Sequence, residues 1–225
     1  NAKIGVVGDR DLAASLFVLS ASALGINHLV VVAPILDPLL APIAKKVNPH
    51  LHLTHVEGFY THPIWDDLFI GCDLLVDLSH YGLANKLLFE KGFREGVPVV
   101  RGVCYERDEV QGFDVFTYLR GREWQELDRL VCPNNLPAVH FDDGVLDTIL
   151  AGVALEEVKT ILMFQRASDE LISYERKKGS GDNRSRILVV GSGALGNFAG
   201  LGLAYCGFRD CTFMDPDRVE VTNLN

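Results

Sequence analysis

A glycine-rich turn near the C-terminal end of the sequence carries the residues best suited to chemistry. Gly191, Gly193 and Gly196 form the pattern G-S-G-A-L-G directly after an apolar run at residues 187–190. In such a turn the first glycine permits a tight bend and the second removes a side chain that would block a phosphate. The third allows a helix to pack closely on a strand. Because the following helix N-terminus offers unpaired N–H groups to an anion, the pattern predicts a nucleotide-binding loop.

An acidic residue stands at the distance that such a loop requires. Asp215 lies 19 residues after Gly196, at the end of the next apolar run, where an aspartate pairs with ribose hydroxyls. The same type of loop serves NAD, FAD and ATP. The loop and the aspartate therefore predict nucleotide binding and leave the identity of the nucleotide open.

The elements that must position this loop follow an alternating order of strands and helices. Nearly all the strand candidates are apolar, which is typical of a parallel sheet covered on both faces. The predicted strands are residues 4–7, 28–33, 51–56, 73–77 and 97–103, and the predicted helices are 11–24, 38–47 and 83–95. The order predicts an α/β, Rossmann-like fold, mostly parallel, with helices on both faces of the sheet.

The later part of the chain suggests a boundary between two domains. Residues 113–119 and 130–131 are candidates for further strands, which could be antiparallel, and residues 144–164 form one long helical pattern that runs on towards Tyr174. The charged segment at residues 175–186, rich in Gly, Ser and Asn, predicts a linker. We therefore expect a first domain over residues 3–174 and a second βαβ opening unit over residues 187–225.

The two strand openings form an internal repeat. Residues 4–8 (I-G-V-V-G) align with residues 187–191 (I-L-V-V-G), and each opening leads into a helix of small residues and a second strand. In the first copy Arg10 stands opposite Gly193, Ala13 opposite Gly196, and Ala33 opposite Asp215. This difference predicts a first copy that keeps the residues of the fold and lacks those of the ligand site.

Composition restricts the class of protein. Of 225 residues 48% are hydrophobic, which is enough for a sizeable core, and the net charge of −9 argues against nucleic-acid binding. The five cysteines form no C-x-x-C pair, which favours free thiols in a reducing compartment. No apolar run is long enough to cross a membrane. We expect a soluble, cytoplasmic protein that binds neither membrane nor nucleic acid.

The segment after Asp215 narrows the choice of nucleotide. Its sequence, D-P-D-R-V-E-V-T-N-L-N, resembles the D-x-D-x-V-x-x-x-N-L-N-R-Q segment of the E1-like activating enzymes, the ThiF/MoeB/HesA family and the adenylation domains of ubiquitin-activating enzymes. The first domain resembles the same family more faintly, through residues 44–49, 73–81, 96–99 and 144–159. The resemblance implies a ThiF-like fold in both copies, with residues 187–225 as the N-terminal part of the second.

The resemblance also implies a reaction and its ligands. In this family ATP and Mg²⁺ are bound beside the C-terminal carboxylate of a partner, and attack on the α-phosphate gives an acyl-adenylate and pyrophosphate. The partner would be a ubiquitin-like or sulfur-carrier protein, or a peptide or small-molecule carboxylate. The glycines would cradle phosphate and Asp215 would bind ribose. Asn223 would approach the phosphates, with Asp217 and Asn225 as further candidates. A homodimer, or a pseudo-dimer of the two copies, is also implied.

The first copy departs from the family pattern at its own site. His80 stands where the family has an aspartate expected to hold Mg²⁺, and the zinc-binding C-x-x-C pairs are missing, so zinc is not expected. The Mg²⁺ ligand and the cationic clamp of the second copy are expected outside residues 1–225, and no catalytic residue is assigned. These departures predict an inactive first copy.

Other chemically suggestive residues have simpler interpretations. His50 and His52 should face one side of a strand and His55 the other, which does not favour a metal site. Cys104 directly follows an apolar strand and is expected to be a packed thiol rather than a nucleophile. Residues 65–67 (W-D-D) suggest a helix start.

Two other functions remain open at the sequence level. A nicotinamide- or flavin-dependent oxidoreductase could use the same glycine loop. Alternatively, a non-catalytic scaffold could use the first domain only for dimerisation or for partner docking.

Overall fold

The first domain is built on one seven-stranded sheet. The computed structural model describes residues 2–9, 12–119, 144–164, 167–168, 170–177 and 184–217. The sheet strands are β1 (Lys3–Val7), β2 (His28–Ala33), β3 (His52–Glu57), β4 (Leu74–Asp77), β5 (Val99–Arg107), β6 (Val110–Tyr118) and β7 (Ile172–Lys177). The helices of this domain are α1 (Ala13–Ala23), α2 (Leu40–Val47), α3 (Gly82–Glu95) and α4 (Gly144–Leu162), together with a 3₁₀ helix (Pro63–Phe69).

The strand order places a switch point between β1 and β4. The order is β3-β2-β1-β4-β5-β6-β7, in which the first five strands are parallel, β6 is antiparallel to β5, and β7 is antiparallel to β6. In such sheets the crevice at the carboxyl ends of the strands, where the order reverses, is the usual ligand site. The Rossmann-like, mostly parallel fold expected from the sequence is confirmed.

Alternating strand residues divide the core into two clusters, one on each face of the sheet. Ile4 and Val6 belong to the cluster that α1, α2 and α4 cover. Val7 belongs to the opposite cluster, which Phe69 of the 3₁₀ helix and Leu88 of α3 complete. Because every second residue of a strand faces the same side, apolar runs in the sequence supply both clusters at once.

The C-terminal segment forms a separate βαβ unit. Strands β8 (Ile187–Val190) and β9 (Cys211–Met214) pair in parallel and are joined by helix α5 (Ala194–Tyr205). Helix α5 packs against α4 at an unusually close crossing, since a Cβ added to Gly144 would lie 2.4 Å from the Tyr205 Cβ. The Tyr205 hydroxyl also donates a hydrogen bond to Asp37 Oδ2 at 2.7 Å. The unit is therefore docked on the helical layer of the first domain.

The long helix ends earlier than its sequence pattern predicts. It stops at Leu162, and Phe164 adopts a left-handed backbone conformation with φ of 55°. Residues 172–177 instead form the edge strand β7, in which Tyr174 stacks on Phe113 at a ring distance of 5.8 Å. The extension towards Tyr174 is therefore wrong, because pairing with the edge of β6 outweighs helical periodicity.

Two further boundaries differ from the prediction. The first three residues of the predicted linker, 175–177, complete β7, while the division into domains stays a prediction. Strand β5 continues to Arg107 because it pairs with β6 along its whole length, so Cys104 lies within the strand rather than after it. The antiparallel strand expected near residues 113–119 is present as β6, and the candidate strand at residues 130–131 lies outside the described residues.

None of the helices within the described ranges is long and apolar enough to cross a lipid bilayer.

Candidate functional site

The glycine loop connects β8 to α5 through a tight bend. Gly191 has φ of +91°, a left-handed conformation that favours glycine, and its N–H donates to Met214 O at 2.8 Å. A Cβ added to Gly196 would lie only 1.8 Å from Gly191 O, so the first turn of the helix rests directly on the bend. The bend and the close packing predicted for these two glycines are both present.

Gly193 leaves the N-terminus of α5 open. It precedes the first residue of the helix and has no side chain that could accept a hydrogen bond from the first turn. A Cβ built on it would meet no atom within 4 Å in the part of the chain that the structure describes, so packing there does not require glycine. An anion could therefore approach the first N–H groups of the helix without obstruction.

Asp215 bridges the carboxyl ends of β8 and β9. Its Oδ2 accepts hydrogen bonds from the Ser192 backbone N–H at 2.5 Å and from Ser192 Oγ at 3.1 Å. Its Oδ1 accepts the Asp217 backbone N–H at 2.8 Å. The backbone N–H groups of Asp217 and Ser192 hold the pKa of the Asp215 carboxyl below its usual range. The aspartate is thus an ionised, oriented acceptor beside the glycine loop.

Asn197 fixes the carbonyl groups of the same loop. Its Nδ2 donates to Ser192 O at 2.6 Å and to Gly193 O at 3.1 Å. Both carbonyl oxygens are therefore engaged with the helix, which keeps their partial negative charge away from an incoming anion. Neither Ser192 nor Asn197 can be recognised as part of the site from the sequence, because their roles depend on the conformation of the loop.

The first copy repeats the backbone of this loop. The Gly8 N–H donates to Val32 O at 3.0 Å, as the Gly191 N–H donates to Met214 O. Gly25 and Gly207, which follow the helices of the two copies, have φ of +87° and +84°. These paired features give a structural basis to the internal repeat seen in the sequence.

The packing position of the third glycine corrects the alignment by one residue. A Cβ added to Gly8 would lie 2.5 Å from the Ala14 Cβ, so Ala14, rather than Ala13, faces the bend as Gly196 does in the second copy. The first loop is one residue longer, since six positions separate Gly8 from Ala14 and five separate Gly191 from Gly196. The assignment of Ala13 is therefore wrong, because the extra residue precedes the helix.

Two side chains fill the switch point of the first domain. Asp9 directly follows Gly8 and is buried, and its Oδ2 accepts the His80 backbone N–H at 2.6 Å. The same oxygen lies 3.4 Å from His80 Nδ1, and His80 Nε2 contacts Cys104 O at 2.8 Å. Loop residues after β1 and β4 are therefore joined to each other where a ligand would otherwise enter.

Buried polar groups support this closure from below. Asp77, at the end of β4, accepts hydrogen bonds from Ser79 Oγ at 2.7 Å and from Asn85 Nδ2 at 2.8 Å. Arg101 on β5 donates to Asp77 O at 3.2 Å. The network satisfies charges that would be costly to bury alone, and it ties three elements together.

Comparison with known proteins gives the family of the C-terminal segment. Residues 180–225 match the ThiF family. We call these residues the ThiF segment. They contain the glycine loop and Asp215, together with the N-L-N motif from which the resemblance was expected. That expectation is confirmed.

Two curated relatives align with part of the ThiF segment. The chain is 55% identical over 40 residues to the NEDD8-activating enzyme E1 catalytic subunit of Arabidopsis thaliana. It is 46% identical over 41 residues to the subunit of the same name from Schizosaccharomyces pombe. Each alignment covers 18% of this chain and 9% of the relative, so the chain spans about a tenth of the length of the curated relatives it matches.

Solved structures share the fold over most of the chain. E. coli MccB solved with ATP has a TM-score of 0.55 and 11% identity, over 80% of this chain and 65% of that chain. PaaA has a TM-score of 0.55 and 12% identity, over 78% of this chain and 72% of that chain. At these identities the comparison establishes the fold alone.

The remaining predicted residues fall into two groups. Asn223 and Asn225 lie outside the described residues, and the ligand roles of all seven candidate site residues stay predictions.

His52 stacks on His28 at a ring distance of 4.9 Å, and the His55 ring contacts Ala33 O at 2.8 Å. In the part of the chain that the structure describes, no group of three or more His, Cys, Asp or Glu side chains could hold a metal ion. Cys104 is a buried core residue.

Proposed function

We propose that this chain is part of an E1-like enzyme that uses ATP to adenylate a partner carboxylate, with the nucleotide held by the ThiF segment. The observation that carries the proposal is the coupling of the glycine loop to Asp215 at the carboxyl ends of two adjacent parallel strands. That arrangement presents an open helix N-terminus and an ionised carboxylate side by side. Phosphates and a ribose require this pair of features.

The residues present fit the nucleotide. The open space beside Gly193 would admit the phosphates, and Asp215 would accept hydrogen bonds from the ribose hydroxyls. Asp217 adjoins this position, while Asn223 and Asn225 follow it in the sequence and are proposed to complete the phosphate contacts. Because the described residues offer no group of metal ligands, Mg²⁺ is assigned to the complete active site rather than to this part of it.

The chemistry of such a site is mainly positioning and electrostatic. ATP would supply the adenylyl group, and the loop would hold its phosphates while the partner carboxylate approaches. The names of the relatives support a carboxylate-bearing partner, since one group activates NEDD8 and MccB has been solved with MccA. We propose the C-terminus of a small ubiquitin-like or sulfur-carrier protein, with a peptide or small-molecule carboxylate as the wider class.

We further propose that the first copy does not bind nucleotide. Asp9 places a buried carboxylate in the loop that follows β1, which would repel an anion. Its bond to the His80 N–H also uses a backbone donor at the switch point. The first copy would then serve as a scaffold on which α5 docks, in a pseudo-dimer of the two copies. The domain limits of residues 3–174 and 187–225 are part of this proposal.

Two measurements test the proposed function. Isothermal calorimetry on the purified chain should show binding of ATP with Mg²⁺, and ATP–pyrophosphate exchange in the full-length protein should depend on an added carboxylate partner. Binding of NADH without binding of ATP would instead favour the oxidoreductase. ATP binding without exchange for any ubiquitin-like or peptide carboxylate would favour the non-catalytic scaffold.

A further inference from the structure

We infer that Ser192 is a positioning residue that holds the Asp215 carboxylate in the orientation required to bind ribose. The inference rests on the proposed function and goes beyond it by assigning a role to the residue between the first two glycines. Ser192 makes two of the three hydrogen bonds that Asp215 accepts from the described residues, through its N–H at 2.5 Å and its Oγ at 3.1 Å.

The geometry divides the carboxylate into an inner and an outer oxygen. Oδ2 accepts both bonds from Ser192 and faces the loop, while among the described residues Oδ1 accepts one bond, from the Asp217 N–H at 2.8 Å. A carboxylate oxygen can accept two hydrogen bonds, so Oδ1 keeps one lone pair for a ribose hydroxyl. Because both oxygens are restrained, the carboxylate cannot rotate without breaking a charge-assisted bond.

The second bond from Ser192 depends on its hydroxyl. An alanine or glycine at this position would leave only the backbone N–H of residue 192 on Oδ2. Alanine or glycine would therefore loosen the carboxylate without removing it. Ser192 also connects Asp215 to helix α5. Its N–H and Oγ donate to Asp215, and its carbonyl oxygen accepts a hydrogen bond from Asn197 Nδ2 at 2.6 Å. The phosphate and ribose positions are thus connected through one residue.

Three variants test this role. Ser192→Ala removes Oγ, Ser192→Thr restores a hydroxyl, and Asp215→Asn removes the charge that Oγ contacts. We expect Ser192→Ala to lower the affinity for ATP about 3–10-fold, which is the range for the loss of one ordinary hydrogen bond. The threonine variant should recover most of this loss. In the Asp215→Asn background the alanine change should have little effect, because the two residues act together.

The measurements separate positioning from a general effect on the loop. The dissociation constants of ATP, 2′-deoxy-ATP and 3′-deoxy-ATP should be measured for the natural sequence and for Ser192→Ala. The variant should weaken the binding of ATP more than it weakens the binding of the deoxy form that lacks the hydroxyl bound by Asp215. The preference for ATP over that deoxy form should therefore decrease. Carbon-13 NMR titration should show a higher Asp215 pKa in Ser192→Ala than in the natural sequence, because one donor to the carboxylate is lost.

The possible outcomes are distinct. Equal weakening for all three nucleotides, together with an unchanged Asp215 pKa, would overturn the role of Ser192. If the natural sequence binds no adenine nucleotide, the proposed function fails, and the NMR titration still decides whether Ser192 restrains Asp215.

Discussion

Gly193 and Gly196 lack side chains for different physical reasons. At Gly196 a Cβ would lie 1.8 Å from a backbone oxygen, which the protein itself cannot accommodate. At Gly193 a Cβ would meet no atom of the described residues within 4 Å, so packing among these residues does not require glycine there. The two positions can therefore be told apart by experiment.

The first prediction compares the alanine variants of these glycines. Gly193→Ala should leave the melting temperature nearly unchanged and lower the affinity for ATP by about tenfold or more, because the methyl group occupies the phosphate approach. Gly196→Ala should lower both the melting temperature and the affinity for ATP, because the added methyl group forces the helix away from the bend. Thermal unfolding and calorimetry on the same samples check the contrast. A Gly193→Ala protein that binds ATP normally would contradict the assigned phosphate position.

The second prediction concerns the two aspartates after β9. Asp215→Asn should lower the affinity for ATP about tenfold, since the charged acceptor is lost. Asp217→Asn is the matched control, because Asp217 contacts Asp215 through its backbone N–H, which asparagine keeps. Calorimetry at pH 7.5 measures both. Equal losses in the two variants would show that net charge, rather than the Asp215 acceptor, decides binding.

At the scale of elements, one aspartate holds two helices in place. Asp37 Oδ1 accepts the N–H groups of Leu39 and Leu40 at the start of α2, at 2.8 and 3.3 Å. Its Oδ2 accepts the hydroxyl of Tyr205 at the end of α5. The first domain and the βαβ unit therefore share a single carboxylate, and its loss would affect both.

The third prediction follows from this contact. Burial, and then the hydrogen bond to Asp37, raise the pKa of Tyr205 well above its usual range. The neutral tyrosine therefore contributes stability that is fully present below about pH 10 and is lost as pH rises through the raised pKa. Tyr205→Phe should lower the free energy of unfolding by about 1 kcal/mol at pH 8 and by less at pH 11.

Urea unfolding at the two pH values measures this difference. Because other tyrosines titrate in the same range, the comparison is between the variant and the natural sequence at each pH. If the difference in the free energy of unfolding between Tyr205→Phe and the natural sequence is the same at pH 8 and pH 11, ionisation of the hydroxyl does not affect stability.

The sequence predicts elements well where local and long-range preferences agree. Strands β1, β2 and β4 are apolar runs buried on both faces, and their positions were predicted within a residue. The end of α4 and the existence of β7 are not predicted by the sequence, because residues 172–177 form a strand through pairing with the edge of β6. Pairing between distant segments leaves no periodic pattern in either of them.

At the scale of the whole molecule, the two copies share a backbone but differ in the side chains at the start of the helix. The second keeps an open helix N-terminus beside an ionised aspartate, and the first places a buried carboxylate against the His80 N–H. The sequence predicted the missing glycines of the first copy. It did not predict that Asp9 fills the space, because that contact joins residues 71 positions apart.

The fourth prediction is the number of nucleotides bound. Calorimetry should give one ATP per chain, and Gly193→Ala should weaken all of that binding rather than half of it, because only the second copy is expected to contribute. Two sites per chain, or a residual site of unchanged affinity in the variant, would contradict a first copy without nucleotide.

The fifth prediction concerns the close crossing of α4 and α5. A side chain at Gly202 would press on Gly144 O, which lies 3.2 Å from an added Cβ, so Gly202→Val should loosen the docking of the βαβ unit. Hydrogen exchange should increase in α5 and remain unchanged in α3, which has no part in the crossing. If the variant and the natural sequence show the same hydrogen-exchange protection in both helices, the docking does not depend on this contact.

The extra residue in the first loop bears on how an active site could be restored by engineering. Replacing residues one for one at a fixed offset would put the incoming glycines out of phase with the helix, because the spacing from Gly8 to Ala14 exceeds that from Gly191 to Gly196 by one. A graft of the second loop onto the first domain must therefore delete one position before Ala14. The two loops thus differ in length as well as in residue type, so point substitutions alone would not convert the first loop into the second.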